Sequence, residues 1–500
     1  MNLQRGDRRQ GIFRFVIKLG EQEDVTARAG LPLVVEAFRA LELDEVSRQK
    51  LPRPHRQLEY PPEAKLEALV TLIAAGGDRV ADIEVLREDK GLARLMEGPF
   101  PSPDALLDFL HSFHDPACWK DRPADKKAYV PPESAGLVGL AALNRELVER
   151  GADEAQTKAT IDHDGTIIES HRREAKRAYE GTRGYQPLVA VWAEEQLIVA
   201  DEFRDENVAG GEDPLSSVKR AFANLPARVT ERYFRGDSAD YYQPLLEYLV
   251  KEKIVFSISA DMSPQLRACC QSVAEEKWSL HEERAREDVH VAELEFTPGN
   301  WPKDAPALRY VALRITRKQQ ELFEEQERGP KYLAVVTNRP IPPEPTKEEP
   351  KPKELPEQMS ASELVKWHWE KAGTIEHVHR SMKDELGAGV MPSGQFQTNA
   401  AWFRINALTF NLMTVLKRRA LPERYRLARP KRLRFEIFTL PGKLAVHQSE
   451  LGVRVSACES RVQEIVAAPG DPQQPVGESS ERGNLARGFP RGRRRAKLAR

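Results

Sequence analysis

The chain has 500 residues, of which 40% are hydrophobic and 31% charged, and its formal net charge is −1. That length allows roughly two to four domains with real cores. The charge is too balanced to name a partner, and no apolar run approaches the ~20 residues of a membrane span. Met1 to Arg9 lacks the apolar centre of a signal peptide, so a cytoplasmic address and no membrane partner are expected.

Phe13 to Ile17 reads as a short strand. Apolar residues at helical spacing predict helices over Leu31–Leu43, Pro61–Ala75 and Val80–Met96. Another begins at Ser102-Pro-Asp104, with Ser102 as N-cap and Pro103 in the first turn. Residues 1–130 are therefore expected to be mainly helical. From Lys158 the pattern changes to strands over 158–169, 185–193 and 196–205, a helix over 213–224, a strand over 228–236, a helix over 240–251 and a strand over 253–260. Short links among the first three strands imply a meander, and the helix between the last two implies a parallel crossover. This α/β order is that of a ribonuclease H-like core, first part 150–262.

Strand-like runs at Val291–Phe296, Leu308–Thr316 and Lys331–Thr337 predict a β-rich insertion over 263–338. Arg339 to Gln358 holds seven prolines among Glu and Lys and reads as a solvated linker, 339–358. Helices at Ser362–Leu386 and Thr398–Lys417 return the chain to the core over 359–420. A C-terminal region, 421–466, includes an expected hairpin at Leu433–Val446. The tail, 467–500, has a composition that predicts disorder. It is also basic: Arg482 to Arg500 carries eight Lys/Arg and no acid. A second basic stretch runs from Lys417 to Arg434. Such blocks attract a polyanion despite the near-neutral total, by neutralising phosphates and releasing counterions.

Three acids occupy suggestive settings. Asp162 and Asp164 are two apart in a strand and share a face, with His163 on the other. Either can be a ligand; Gly165-Thr166 favours Asp164, because the missing side chain leaves room for metal and phosphate. Asp237 closes the run Val229–Gly236 and precedes a helix, a place where α/β sheets bind ligands and where an Asp also serves as a cap. Glu376 and Lys383 are seven apart on one helix, hence on one face. Two strand carboxylates and one helix carboxylate in this order can hold divalent metal for phosphoryl transfer. The rival reading of each is structural: exposed strand carboxylates, a helix cap, a solvated helix face. His379 shares the helix but suits hard Mg²⁺ poorly. The four cysteines, Cys118, Cys269, Cys270 and Cys458, form no C-x-x-C pair and are expected to be reduced thiols. Walker, G-x-G-x-x-G and H-E-x-x-H sequences are absent, which removes nucleotide-driven, dinucleotide and zinc-protease classes.

Asp164-Gly-Thr166, Tyr233-Phe-Arg-Gly-Asp-Ser238 and Glu376-x6-Lys383 resemble the DDE transposases of bacterial insertion sequences, specifically the subgroup with a β-strand insertion and a Tyr-Arg-Glu-Lys signature. Gly184-Tyr-Gln-Pro-Leu188, Ala200–Asp205, Phe256–Met262 and Ala334–Arg339 are similar to that family as well. Trp369 stands where the signature has Tyr and Ala372 where it has Arg; neighbouring Lys371 either supplies that phosphate contact or it is lost. The resemblance implies that Asp164, Asp237 and Glu376 bind two Mg²⁺ ions (Mn²⁺ substituting) and that Lys383, Lys371 and Arg380 contact DNA phosphate. It implies binding of terminal inverted repeats and target DNA, strand cleavage and joining, a homodimer in the synaptic complex, a nucleoid location and a DNA-reading role for the helical region. A tryptophan that stabilises a flipped base falls on Trp278 or Trp301 unless both are core residues. A ribonuclease H-like nuclease without strand transfer, or an inactive DNA-binding relic, is the alternative.

Overall fold

The computed structural model describes residues 24–53, 59–120, 128–172, 175–177, 183–208, 212–318, 329–341, 358–447 and 450–456. The expected strand at Phe13–Ile17, most of the proline-rich linker, Cys458 and the basic tail lie outside the described residues.

The N-terminal region is helical, with α1 (Pro32–Ala40), α2 (Leu43–Lys50), α3 (Pro62–Ala75), α4 (Pro103–His111) and, unforeseen, α5 (Ala135–Gly151). Ser102 caps α4 as expected, its Oγ accepting from Ala105 N at 3.2 Å. Val80–Met96 is not one helix. It divides into Val80–Asp82, Ile83–Arg87 and Lys90–Leu95, because Asp89 leaves helical geometry and its Oδ1 accepts from Leu92 N at 2.8 Å, starting a new helix.

One nine-stranded sheet follows, built from β1 (Lys158–Gly165), β2 (Leu188–Trp192), β3 (Leu197–Glu202), β4 (Glu231–Gly236), β5 (Val255–Ser259), β6 (Ser279–Glu283), β7 (Glu287–Leu294), β8 (Arg309–Arg317) and β9 (Lys331–Thr337). The order across it is β6-β7-β8-β9-β5-β4-β1-β2-β3. β1, β2 and β3 form the expected antiparallel meander, while β4 lies parallel to both β1 and β5. Helices α6 (Pro214–Ala223) and α7 (Gln243–Lys251) make the crossovers on either side of β4. The insertion strands extend this same sheet, β9 joining β5 antiparallel through Val335↔Ser259 and Thr337↔Ser257. β6 escaped the sequence reading because it is an edge strand of largely exposed, mostly polar residues, Ser-Leu-His-Glu-Glu.

Two helices close the fold. α8 (Ala361–Arg380) packs on β1, β4, β5 and β7, and a π-turn, Ser381–Glu385, replaces the rest of the helix expected to reach Leu386. α9 (Phe396–Ala420) is buried all round from Phe396 to Lys417 and packs on α1, α3, α4, α5 and β3. A helix apolar on every side belongs in a core, provided its polar members are paired. Its buried amides and arginine find partners: Asn411 bonds Asn144 and both backbone groups of Ile198, and Arg404 bonds Asp201 and Glu133, while Thr414 Oγ1 has none among the described residues. The N-terminal helices and the sheet therefore share one hydrophobic cluster, from Leu31 to Leu440, centred on α9. A second cluster, with Val289, Val311, Leu364, Val365 and Trp367, lies between α8 and the opposite face.

The hairpin expected at Leu433–Val446 starts later. Pro430–Leu433 is helical, Arg434–Phe438 is a π-turn, and the hairpin joins Gly442–His447 to Glu450–Val455. Leu433 and Ile437, four apart, are both buried, as residues on one helical face are. Cys118, Cys269 and Cys270 are free thiols, and burial pushes Cys270 up to about 11. Among the described residues no helix is long and apolar enough to cross a membrane.

Candidate active site

The site grows from the parallel pair β1 and β4. Their register runs from Lys158↔Glu231 to Asp162↔Arg235, a constant offset of 73 (235 − 162). The same offset separates Asp164 from Asp237 (237 − 164). In a parallel pair, partnered positions face the same side, one strand spacing of roughly 4.8 Å apart. Carried two residues further, that register aligns Asp164 with Asp237 where these two strands end. The side they share is the one covered by α8, because Asp162 and Arg235, two residues back, both meet that helix.

Asp162 is fully buried and chelated by Arg235, which donates from Nε to Oδ1 at 2.7 Å and from Nη2 to Oδ2 at 3.0 Å. Arg235 Nη1 donates to Trp367 O at 2.8 Å and to Glu370 at 3.1 Å on α8. Burial pushes the Asp162 carboxyl up, against the pull of Arg235, Thr374 and Lys371. Both oxygens are committed, so of the two candidates it is Asp164 that stays accessible. Asp164 is half-buried; its Oδ1 accepts from Gly165 N at 2.8 Å, and its Oδ2 lies 3.4 Å from Lys371 Nζ. Asp237 caps the turn Ser238–Asp240, Oδ1 accepting from Ala239 N at 2.9 Å. The cap reading of Asp237 thus holds, and uses one oxygen.

The far face of β1 fixes this arrangement from below. His163 is buried between Asp240, 2.8 Å from Nδ1, and Ser217, 3.2 Å from Nε2. Asp240 belongs to the turn that Asp237 caps, so the residue between the two β1 aspartates is tied to the element following Asp237. Gly236 is required there: a Cβ would come 2.4 Å from Asp240 Oδ2.

α8 starts with a capping box: Ser360 Oγ accepts from Glu363 N, and Glu363 Oε2 accepts from Ser360 N at 2.8 Å. Leu364, Trp367, His368, Lys371, Ile375 and Val378 form its inner stripe. His368 bridges Ser257 and Ser259 of β5, each at 3.0 Å, and burial drives its pKa down to about 3. Lys371, for which a phosphate contact was expected, is buried with its Nζ 3.4 Å from Asp164 Oδ2. Glu376 and Arg380 are exposed on the flank of the same helix. Beyond them, Lys383 in the π-turn donates to Ile167 O at 3.3 Å. Lys371 and Lys383 thus both touch the end of β1, and Glu376 lies between them, about 7.5 Å along the helix from Lys371. His379, inward-facing, is pushed down to about 3 by burial and then by Lys383.

Asp164 and Asp237 are brought together, whereas Glu376 stands on the neighbouring helix flank. Among the described residues no three His, Cys, Asp or Glu side chains are grouped to hold a metal ion. The donor chemistry still suits a hard cation: the accessible groups are carboxylates, and Asp164 already has the Lys371 ammonium as a cationic partner. Trp301 is a core residue, its Nε1 donating to Pro306 O at 3.1 Å, and Trp278 stacks under Arg314 at 4.7 Å.

The family model described as Transposase DDE domain group 1 matches residues 17–468. The chain belongs to this family of DDE transposases. Among solved structures, the cryo-EM structure of a piggyBac transposase synaptic complex with hairpin DNA is similar over 82% of this chain and 78% of that one, with 10% identity and a TM-score of 0.43. No curated protein matches the transposase chain. What the sequence reading missed in this DDE transposase is its buried support, Asp162 with Arg235 and His163 with Asp240. One signal was present: Arg235 precedes Asp237 by the same two residues that separate Asp162 from Asp164.

Proposed function

We propose that this chain is an insertion-sequence transposase of the Tyr-Arg-Glu-Lys type, with a ribonuclease H-like core that cuts and rejoins double-stranded DNA at terminal inverted repeats. The observation that carries the reading is the shared offset, which sets Asp164 beside Asp237 at the carboxyl ends of adjacent parallel strands, where such sheets bind ligands.

Asp164, Asp237 and Glu376 are the residues that would hold divalent cations, Mg²⁺ or Mn²⁺. When bound, such ions supply Lewis acidity for a water nucleophile and for the departing 3′ oxygen. The protein's own part is positioning. The Asp162–Arg235 pair and the His163–Asp240 bond hold the two strand carboxylates in register. Lys371 balances the Asp164 charge from the buried side. Lys383, whose Nζ reaches Ile167 O just beyond β1, and Arg380 on the exposed flank of α8 neutralise the phosphates of the bound strand. The helical N-terminal region reads the repeat, and two protomers bring two DNA ends together.

The test is cleavage and joining of a DNA carrying the matching inverted repeat, with Mg²⁺ or Mn²⁺. The parent is expected to release 3′ ends and join them to target DNA. Asp164→Ala, Asp237→Ala and Glu376→Ala are each expected to abolish both steps while still binding DNA. Variants that cut as well as the parent would overturn the reading; cutting without joining would make the protein a nuclease.

A further inference from the structure

A basic, partly apolar surface lies outside the site described above. Pro430–Leu433 runs into the π-turn Arg434–Phe438. Leu433, Ile437 and Phe438 turn inward and are buried, which leaves Phe435 outside, 82% exposed, near Leu427 at 72%. These are the most exposed large hydrophobic side chains among the described residues. They line an open cavity of about 760 Å³ together with Arg429, Lys431 and Arg432.

The charge around them is one-sided. Glu423 to Glu436 contains six Lys/Arg and two acids. Both acids are engaged, Glu423 with Arg426 at 3.4 Å and Glu436 with Arg432 at 2.9 Å and the Tyr425 hydroxyl at 2.8 Å. An exposed aromatic ring among cations suits a polyanion that also presents flat apolar faces, which is the chemistry of unpaired nucleic-acid bases.

The surface is also anchored to the candidate site. Glu385, buried at the end of the π-turn Ser381–Glu385, accepts from Lys431 N at 2.8 Å and lies 3.0 Å from Arg429 Nε. That turn carries Lys383, which reaches Ile167 O just beyond Asp164. Two short links therefore join the patch to the end of β1.

We propose that this patch is a second DNA contact, at which Phe435 stacks on an unpaired base next to the processed end while Arg429, Lys431 and Arg432 neutralise phosphates. The inference rests on the transposase reading for its choice of DNA. The test uses the full chain and two labelled probes of one sequence, an intact duplex and the same duplex with a single-stranded 3′ arm, followed by fluorescence anisotropy over a salt series. Phe435→Ala is expected to weaken binding of the armed probe by roughly 5- to 100-fold, the range of one base–aromatic stack, with a smaller change for the duplex. Phe435→Trp is expected to restore it. Lys431→Ala should weaken both probes and reduce the salt slope by about one. Because Phe435 is exposed, its loss leaves the core intact. Equal binding of both probes by Phe435→Ala and the parent would overturn the proposal. So would a change confined to self-association in sedimentation, which would assign the patch to a second copy of the chain. A parent that binds the armed probe through Phe435 but never cuts DNA would leave this contact standing and defeat the proposed function instead.

Discussion

Asp162 and Asp164 stand two residues apart on the same face of one strand, in opposite surroundings. Asp162 is wholly buried and gives both oxygens to Arg235, which in turn grips the backbone of α8. Asp164, at the strand end, is half-buried and, among the described residues, accepts from the Gly165 amide and meets Lys371. The contrast extends across β4, where Arg235 belongs to the buried floor and Asp237 to the rim. A floor of satisfied charge fixes the spacing of the strands, and the rim, free of that duty, keeps carboxylates available for chemistry.

The largest effect expected from breaking this division is at the floor. Arg235→Met leaves Asp162 buried without its partner, and unfolding in denaturant should show a loss of about 3–5 kcal/mol. A loss below about 1 kcal/mol would mean the pair does not hold the strands. At the rim the order of effects reverses. Asp237→Asn, which can still cap its turn, should change stability by less than about 1 kcal/mol, and Asp164→Asn should cost less than Arg235→Met, because Asp164 is only half-buried beside Lys371. Strand cleavage should nevertheless fall by at least ~100-fold, since even outer partners of metal ligands typically cost about 10–100-fold.

Acid sharpens the same comparison. His368 and His379, on the inner face of α8, are each held near a pKa of about 3 by burial. In the unfolded chain they titrate near 6.5, so between about 6.5 and 3 the unfolded state binds the extra protons. The stability contributed by each neutral histidine is fully present above about 6.5 and is lost as pH falls towards 3. The slope approaches about 1.4 kcal/mol per pH unit for each. Thermal unfolding against pH checks this, and His368→Gln should remove one histidine's share. The smallest effects belong to two cations at the end of α8 and in its π-turn: Lys383→Met and Arg380→Ala should each weaken DNA binding a few-fold and lower the salt slope by about one.

Much of this was legible in the sequence, for identifiable reasons. The strand order from Lys158 to Ser259 followed from short links and two crossover helices, and Ser102 with Pro103 marked a helix start correctly. The placement of Asp164 and Asp237 at strand ends was legible because acids stand out against apolar runs. The Asp164 partner of Lys371 was hidden, because helical spacing gives its neighbours on α8 but not which strand lies beneath it. The burial of Asp162 was hidden for a related reason: only the pairing of β1 with β4 brings Arg235 across from it. The π-turns at Ser381–Glu385 and Arg434–Phe438 left no periodic signal, since one extra residue breaks the 3.6-residue rhythm that reveals a helix.

Glu376 is the residue on which the account depends most, since it lies on the helix flank rather than beside the two aspartates. Mn²⁺ binding to the DNA-bound full chain, followed by electron paramagnetic resonance, tests its place directly. The account predicts that Glu376→Gln weakens Mn²⁺ binding as Asp164→Asn and Asp237→Asn do. Parental Mn²⁺ affinity in Glu376→Gln, with loss in the two aspartate variants, would contradict it and assign the third ligand to another residue.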